Sequence, residues 1–225
     1  MWNWIIGIVL LGALLYWLDR EVYFYEGIHL GPRIQGWLYD RWAAKYDQGK
    51  QESQAHDVER LAHPIIAALA KVSEPSMLDY ATGTGRMPLA LLREPEFKGR
   101  CVEMDVSKGM LEQADAKLAD YKGRYELVHL VYLPLPYPDN SFDVVSCMEA
   151  LELMPNMEEP LAELFRVLKP GGIFMSSRGT EASGRKSKVR SVEEFSRLLY
   201  DTGFEQVQIT PWWKWFDHVI ARKPG

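Results

Sequence analysis

Downstream of residue 76 the chain alternates between short apolar runs and stretches in which apolar residues recur every three or four positions. The short runs predict buried strands, and the spaced stretches predict amphipathic helices. The predicted strands are, in chain order, SMLDYA, GRCVEMDV, RYELVHLVYL, FDVVSCM, IFMSS, FEQVQIT and FDHVIAR. Strands that alternate with helices predict an α/β fold with a doubly wound, mostly parallel seven-stranded sheet. The last two strands have a short connection and are expected to pair antiparallel at one edge.

Capping residues indicate where the helices begin and end. Ser107 precedes a helical pattern as an N-cap, and Ser191 with Glu194 has the spacing of a capping box. Gly203 is the residue type that ends a helix. We therefore expect one helix to begin after Ser107 and another to span the residues between Ser191 and Gly203.

The N-terminal segment is apolar throughout. Residues 2–18, WNWIIGIVLLGALLYWL, contain no charged side chain, and Trp2, Trp4 and Trp17 lie near its two ends. Seventeen residues are the short end of what spans a bilayer, and aromatic residues are typical of membrane interfaces. The pattern predicts one N-terminal transmembrane helix. A cleaved signal peptide and a buried core helix are the alternatives, although no basic region precedes the run.

This prediction sets the expected organisation of the chain. Residues 1–20 form a membrane anchor, residues 21–50 an aromatic linker with an N-terminal cap helix, and residues 51–225 the α/β domain. Basic residues follow the apolar run, which predicts a single-pass membrane protein with its main domain cytoplasmic. These basic residues are Arg20, Arg33, Arg41 and Lys45.

Composition narrows the classes of function. The chain has 225 residues, of which 47% are hydrophobic and 25% charged, as expected for a globular protein. A net charge of −5 gives no reason to expect nucleic-acid binding. The two cysteines, Cys101 and Cys147, lie in apolar runs and are interpreted as core residues. The five histidines show no metal-ligand spacing, so no metal is expected.

The most informative motif is the glycine turn after the first strand. Gly83 and Gly85 lie at the carboxyl end of that strand, where open α/β sheets bind ligands. Asp105 follows the second strand, 20 residues beyond Gly85, where a carboxylate can accept hydrogen bonds from ribose hydroxyls. Together these features predict a Rossmann-like fold that binds an adenosine-containing ligand.

The same motif disfavours a dinucleotide. The dinucleotide fingerprint has a third glycine three residues after the second, and this chain has Pro88 there. Asp79 brings a carboxylate to the loop, which repels a phosphate and attracts a cationic amino group. The pattern indicates a nucleoside with a zwitterionic tail and disfavours an NAD-dependent oxidoreductase.

At this point the chain resembles a known family. The segments LDYATGTGR, VEMDVSKGML, LPYPDNSFDVV and RVLKPGGIF are similar to the successive motifs of class I S-adenosylmethionine-dependent methyltransferases. They are closest to the group that includes the ubiquinone and menaquinone C-methyltransferases, and RWAAKYD (residues 41–47) is similar to that group's preceding helix. The resemblance covers the chain from about residue 37 onward and implies S-adenosyl-L-methionine as cofactor.

The resemblance also implies roles for individual residues. Ten residues are expected to bind the cofactor: Tyr46, Asp79, Ala81, Thr82, Gly83, Thr84, Gly85, Asp105, Val106 and Met110. Asp79 and the loop line the methionine moiety, with Tyr46 closing over it. Asp105 holds the ribose hydroxyls, and Val106 and Met110 flank the adenine. Core packing for Met110 and a surface position for Tyr46 are the alternatives.

One position departs from the family pattern. An acidic residue usually precedes the Leu-Pro-aromatic motif and contacts the adenine amino group, and Val131 occupies that place here. His129 lies two residues earlier, where a satisfied structural histidine is the ordinary interpretation. The adenine edge is then expected to meet backbone groups or to bind more weakly.

The chemistry itself leaves the catalytic residue open. Methyl transfer from a sulfonium mainly requires alignment of the reacting atoms, so no nucleophile or metal is required. Glu149, after the fourth strand, is a candidate base, with a helix N-terminal acid as the alternative. The segment PWWKWF (residues 211–216) is expected to connect the last two strands and to contact a membrane interface, an apolar pocket or the sheet edge.

Three functions remain at this stage. The leading hypothesis is a membrane-anchored methyltransferase that acts on a lipophilic or small-molecule acceptor. The alternative is a non-catalytic, membrane-tethered module that binds S-adenosylmethionine without turnover. The third hypothesis, which Pro88 disfavours, is an NAD-dependent oxidoreductase. The sequence leaves the methylated atom and the oligomeric state open.

Overall fold

A single seven-stranded sheet organises the protein. The computed structural model describes residues 2–48, 50–183 and 190–225. The strands are β1 (Ser76–Tyr80), β2 (Arg100–Asp105), β3 (Tyr125–His129), β4 (Phe142–Cys147), β5 (Leu168–Gly179), β6 (Glu205–Trp213) and β7 (Phe216–Arg222). Their order across the sheet is β3-β2-β1-β4-β5-β7-β6. The first five strands run parallel, and β7 pairs antiparallel with both β5 and β6. The predicted α/β sheet and its antiparallel edge are confirmed.

Helices cover both faces of the sheet, as a parallel sheet requires. The α-helices are α1 (Trp2–Asp19), α2 (Pro32–Trp42), α3 (Gln51–Gln54), α4 (His63–Ala68), α5 (Arg86–Leu92), α6 (Lys108–Lys117), α7 (Glu158–Val167) and α8 (Val192–Thr202). Wider π-helical turns join some of them, including Val58–Ala62 immediately before α4. Two hydrophobic clusters fill the space between sheet and helices, one beneath α7 and α8 and the other beneath α4 and α5.

The capping residues behave as predicted. Ser107 Oγ accepts a hydrogen bond from the backbone N–H of Met110 at the start of α6. Ser191 and Glu194 form a reciprocal capping box at the start of α8, and Gly203 ends that helix in a left-handed conformation. Local sequence was sufficient here because each cap satisfies backbone groups within its own helical turn.

The N-terminal apolar segment requires a correction. Trp2–Asp19 forms an α-helix of 18 residues, yet none of the helices in the described ranges is long and apolar enough to cross a membrane. The predicted single-pass membrane anchor, and the location inferred from it, are therefore wrong. An 18-residue helix rises about 27 Å, less than the roughly 30 Å of a hydrocarbon core, and this one ends on a charged aspartate.

The aromatic segment near the C-terminus is also placed differently from the prediction. Residues 211–213 belong to β6, and β7 begins at Phe216. The turn between the two strands therefore consists of Lys214 and Trp215. Pro211 pairs with Asp217 and Trp213 pairs with Phe216 across the hairpin. The segment is therefore a continuous antiparallel hairpin and not a free connection, because antiparallel strands can be joined by a tight turn.

A cap built from α2 and the turns around it covers the carboxyl ends of β1 and β2. Gly36 of α2 lies against the backbone of Val106, where an added Cβ would be 2.6 Å from the Val106 carbonyl oxygen. One turn further along the same face of α2, Asp40 accepts hydrogen bonds from Ser107 Oγ at 2.6 Å and from the Gly109 N–H at 2.8 Å. The cap is therefore joined to the start of α6 by a close backbone contact and by hydrogen bonds.

The close contact at Gly36 yields a stability prediction. Gly36→Ala should lower the free energy of unfolding by about 1–3 kcal/mol, because the methyl group overpacks against a backbone oxygen. Urea denaturation measures the change. Gly12→Ala is the matched control, since a Cβ at Gly12 meets nothing within 4 Å and should not destabilise the protein. Equal stability of Gly36→Ala and the wild type would contradict this packing.

Candidate functional site

The glycine turn and the end of β2 are joined by one carboxylate. The N–H of Gly83 donates to Asp105 Oδ2 at 2.8 Å, and the N–H of Ser107 donates to Oδ1 at 2.8 Å. Gly83 has a left-handed φ of 55°, which glycine adopts without strain. Asp105 therefore fixes the ends of β1 and β2 side by side.

A cavity of about 350 Å³ opens beside this junction. Among the predicted cofactor residues it is lined by Tyr46, Ala81, Gly83, Asp105 and Val106. A Cβ on Gly83 would lie 3.9 Å from Tyr46 Cε1, so a side chain at this position would occupy the space between loop and cap. Ligand-binding cavities in proteins are of this size, and they combine an apolar lining with a few placed polar groups.

Three other predicted residues surround a smaller cavity that adjoins the loop. This space of about 50 Å³ is lined by Asp79, Thr82 and Thr84, together with Tyr46, Ala81 and Gly83 of the larger cavity. Ala81 has a left-handed φ of 60°, and it lines both spaces. The predicted methionine-binding residues are therefore close together in the structure.

Gly85 and Met110 have different surroundings from those expected. An added Cβ on Gly85 would lie 3.2 Å from Ala114 Cβ, so this glycine permits close packing of α5 against α6. Met110 is fully buried and does not line either of the two cavities described above. The ligand contacts of both residues stay predictions, and the structure gives each of them a packing role.

A buried cluster of acids lies beneath the loop. Strand register places Asp79 of β1 between Glu103 of β2 and Ser146 of β4. Asp79 Oδ1 accepts a hydrogen bond from Ser146 Oγ, and Thr82 Oγ1 lies 2.7 Å from both Asp79 Oδ2 and Glu103 Oε2. Asp79 and Glu103 are 2% and 0% exposed. Two carboxyl groups thus share one hydroxyl group away from water.

The shared hydroxyl group requires one of the two carboxyl groups to carry a proton. A hydroxyl has a single proton, so Thr82 donates to one carboxyl group and accepts from the other. Burial raises the pKa of Glu103 well above its ordinary value, and the nearby Asp79 raises it further. Burial also raises the pKa of Asp79, to about 6, against the lowering effect of Ser146 and Thr82. Glu103 is therefore the neutral acid that donates to Thr82, and Thr82 donates to Asp79.

The pKa of Asp105 is also shifted by its surroundings. Burial raises its pKa to about 6, while the N–H groups of Ser107 and Gly83 favour the ionised form. The carboxylate is thus ionised at neutral pH at the edge of a mainly apolar cavity. Such a group can accept hydrogen bonds from two neighbouring hydroxyls, which is the arrangement of a ribose.

Ion pairs join the N-terminal cap to the loop. Asp47 accepts from Thr84 Oγ1 at 2.9 Å and pairs with Lys117 of α6 at 2.6 Å. Arg86, at the start of α5, donates to Asp57 and to Glu149 Oε1 at 2.7 Å. These contacts fix Tyr46 over the loop from a segment some 35 residues earlier in the chain.

Several lining residues were not identified from the sequence. From the cap and the segment after β4, the larger cavity receives Ile28, Gln35, Tyr39, Met148, Leu153 and Met154. Gln35 Nε2 donates to the Leu153 carbonyl oxygen at 3.0 Å and so joins these two regions across the cavity. No local signal marks these residues, because they meet only through contacts between segments more than 100 positions apart.

Val131 stands where the family usually has an acidic residue. It lies on the cavity wall together with Leu130, Tyr132 and Leu133. His129 Nε2 lies 3.0 Å from the Val106 carbonyl oxygen, so its ring is engaged with the backbone. The cavity wall formed by Leu130, Val131 and Leu133, where the adenine is predicted to bind, is therefore apolar. Within the described part of the chain, no group of three or more His, Cys, Asp or Glu side chains could hold a metal ion.

The fold and site define a Rossmann-like α/β protein whose cavity at the ends of β1 and β2 suits a nucleoside-containing ligand. Residues 78–176 match the family model described as a methyltransferase domain. The chain is 34% identical over 170 residues to the demethylmenaquinone methyltransferase of Lactobacillus johnsonii, covering 72% of this chain and 70% of that relative. It is 33% identical over 165 residues to the ubiquinone/menaquinone biosynthesis C-methyltransferase of Hahella chejuensis, covering 72% and 66%.

The crystal structure of a SAM-dependent methyltransferase from Aquifex aeolicus shares the fold. It has a TM-score of 0.63 and 21% identity, covering 81% of this chain and 97% of that one. The chain belongs to the class I S-adenosylmethionine-dependent methyltransferases, in the ubiquinone/menaquinone methyltransferase-like group. The predicted family and cofactor are therefore confirmed. The chain covers about 60% of the length of the first curated relatives that it matches.

The residues present fit S-adenosyl-L-methionine. Gly83 leaves room that a side chain would fill, and Asp105 offers a carboxylate at the cavity edge. Asp79 offers negative charge beside the smaller cavity, where a cationic amino group would be favoured. These three features suit the sugar and the zwitterionic tail of the cofactor.

The neutral Glu103 yields a prediction for stability against pH. The folded pKa of Glu103 is above the unfolded value of about 4.3, so the wild type loses stability as pH rises above that value. In Glu103→Gln the side-chain amide retains a hydrogen-bond donor and does not titrate. The stability of this variant relative to wild type should therefore increase between about pH 4.5 and 6.5, by up to about 1.4 kcal/mol per pH unit. Urea denaturation at three pH values measures it.

Glu126→Gln on the exposed side of β3 is the control for this experiment, and its difference from wild type should stay constant over the same range. A constant difference for Glu103→Gln as well would show that Glu103 does not hold its proton in the folded state.

Asp105 yields a prediction for cofactor binding. Asp105→Ala should weaken the binding of S-adenosylmethionine by about 10- to 100-fold, because hydrogen bonds to a charged group contribute roughly 1.5–3 kcal/mol. Isothermal titration calorimetry measures the affinity. The exposed Asp120 provides the matched variant, and Asp120→Ala should bind as the wild type does. Unchanged affinity in Asp105→Ala would remove Asp105 from the cofactor site.

Proposed function

We propose that this protein transfers a methyl group from S-adenosyl-L-methionine to a small, lipophilic acceptor with a hydroxylated aromatic ring, of the kind represented by reduced demethylmenaquinone. The observation that supports this most strongly is the cavity beside Gly83 and Asp105. It extends from the polar ends of β1 and β2 to apolar side chains of the cap. One cavity thus offers a polar end for the cofactor and an apolar end for an acceptor.

The chain's own residues bind and align the reactants in this proposal. When bound, S-adenosylmethionine supplies a methyl group already activated by a positively charged sulfur. Asp105 accepts the ribose hydroxyls, the Gly83 backbone approaches the ligand, and Asp79 favours the amino group. Tyr46 covers the loop and excludes water. Alignment of this kind can supply most of the rate that an activated methyl donor needs.

The nature of the acceptor is inferred from two sources. The cavity wall beyond the cofactor residues is mainly apolar, including Ile28, Leu130, Leu153 and Met154. The curated relatives described above are named for methylation of demethylmenaquinone or in ubiquinone and menaquinone biosynthesis. An apolar wall favours a ligand with little charge, because burying apolar surface contributes about 25 cal/mol per Å².

A methyl-transfer assay tests the proposal. The full chain is incubated with methyl-labelled S-adenosylmethionine and reduced demethylmenaquinone in detergent micelles, and label is counted in the organic extract. We expect label in a product that is one methyl group heavier by mass spectrometry. The expected rate falls at least tenfold in Asp105→Ala, since the cofactor site is then impaired.

The same assay distinguishes this enzyme from the alternative, a module that binds S-adenosylmethionine without turnover. If calorimetry shows cofactor binding while neither reduced demethylmenaquinone nor a total lipid extract takes label, the protein is a binding module and the proposal fails. Asp120→Ala serves as the control and should retain the wild-type rate.

A further inference from the structure

A second cavity shares Tyr46 and Glu149 with the cavity beside Gly83 and Asp105. It has a volume of about 470 Å³ and is lined by side chains from the cap and from the β6–β7 hairpin. Tyr39, Tyr46, Glu149 and Leu153 line both this cavity and the cavity of about 350 Å³ beside Gly83 and Asp105. We call it the aromatic chamber, defined by Tyr39, Tyr46, Trp213, Trp215 and Phe216. Its size suits a small organic molecule.

The chamber has two aromatic walls from different parts of the chain. Trp213 and Trp215 have ring centroids 5.0 Å apart, and Trp213 and Phe216 have centroids 5.8 Å apart. On the cap, Tyr39 and Tyr46 have centroids 6.1 Å apart. Aromatic side chains pack well against other flat rings and lose little conformational freedom when they do. The walls therefore favour a flat aromatic ligand.

Glu149 is the acidic group where the cavities meet. With Tyr46, it lines the cavity beside Gly83 and Asp105, the small cavity beside Asp79 and the aromatic chamber. Its Oε1 accepts a hydrogen bond from Arg86 Nη1 at 2.7 Å. Its Oε2 accepts no hydrogen bond from any described residue and meets Lys50 Nζ at 3.8 Å. One carboxylate oxygen is thus fixed, and the other retains its capacity to accept a hydrogen bond.

The backbone at Glu149 is held in an unusual conformation. Its φ is 53°, in the left-handed region that few residues other than glycine adopt, and its N–H donates to Ser177 Oγ at 2.6 Å. Such a conformation is strained for a residue with a side chain, and such residues cluster at functional sites. The strain places the carboxylate at the junction of the cavities.

We propose that the aromatic chamber holds the ring of the acceptor next to the apolar end of the cavity beside Gly83 and Asp105, and that Glu149, which lines both, anchors the acceptor through Oε2 by accepting a hydrogen bond from its ring hydroxyl. This inference rests on the proposed function, because it concerns the second substrate of the same reaction. A carboxylate only accepts hydrogen bonds, so Glu149 selects rings with a hydroxyl over rings that lack a donor. Glu149 is in this proposal a specificity-determining residue whose effect appears in acceptor binding.

A matched pair of small aromatic probes tests the selection. 1-Naphthol has a ring hydroxyl, whereas 1-methoxynaphthalene has the same ring and no donor. Their affinities are measured by isothermal titration calorimetry with protein saturated with S-adenosylhomocysteine, so that no turnover occurs. We expect the wild type to bind 1-naphthol at least tenfold more tightly, and Glu149→Gln to reduce this preference at least fivefold. A neutral amide accepts a weaker hydrogen bond than a carboxylate.

Asp57→Asn is the matched control. Asp57 holds the other side of Arg86 through contacts of 2.7 and 2.6 Å and does not line the chamber. Asp57→Asn loosens Arg86 as Glu149→Gln does, and should keep the preference for 1-naphthol. Trp215→Ala tests the chamber wall and should weaken both probes by a similar factor. Saturable binding of S-adenosylhomocysteine verifies that each variant is folded.

Two outcomes would overturn the inference. Equal affinity of the wild type for both probes would show that no hydroxyl is recognised. Equal loss of preference in Glu149→Gln and Asp57→Asn would show that Glu149 acts only through Arg86. In either case, methyl transfer to reduced demethylmenaquinone would leave the proposed function standing. Conversely, a retained preference in a protein that transfers no methyl group would refute the function and leave an aromatic binding site.

Discussion

Two backbone N–H groups converge on the carboxylate of Asp105, and much of the site depends on that convergence. Gly83 comes from the turn after β1 and Ser107 from the start of α6. Because both N–H groups donate to the same carboxylate, the end of β1 is held beside the end of β2. Because parallel strands end at the same edge of the sheet, this junction also defines where a ligand can enter.

The acids beneath the loop show how burial sets charge in this protein. Asp79 and Glu103 are neighbours on parallel strands, and burial raises the pKa of each. Two ionised carboxylates that share one hydroxyl would be unfavourable away from water. With Glu103 neutral, this pair of acids carries a single negative charge, at Asp79. The cluster therefore offers one charge for one cationic group.

The outer part of the site is assembled from segments remote in sequence. The cap contributes Tyr39 and Tyr46, the segment after β4 contributes Glu149, and the hairpin contributes Trp213 and Trp215. Arg86 links two of these regions by binding both Asp57 and Glu149. A substitution that moves Arg86 therefore affects the side chains of both regions, whether or not the substituted residue contacts a ligand.

The amino-acid pattern was enough to predict the succession of strands, the caps at Ser107 and Ser191, and the positions of the glycine turn and Asp105 at the carboxyl ends of the first two strands. These features depend on local periodicity and on short-range hydrogen bonds, which can be recognised along the chain. Local hydropathy misjudged the N-terminal helix, because crossing a bilayer also requires sufficient length. Three-dimensional packing was needed to establish that Gly85 packs against Ala114, that Glu103 shares Thr82 with Asp79, and that Glu149 joins the cavities. Those contacts arise when distant segments pack together, and no periodicity along the chain encodes them.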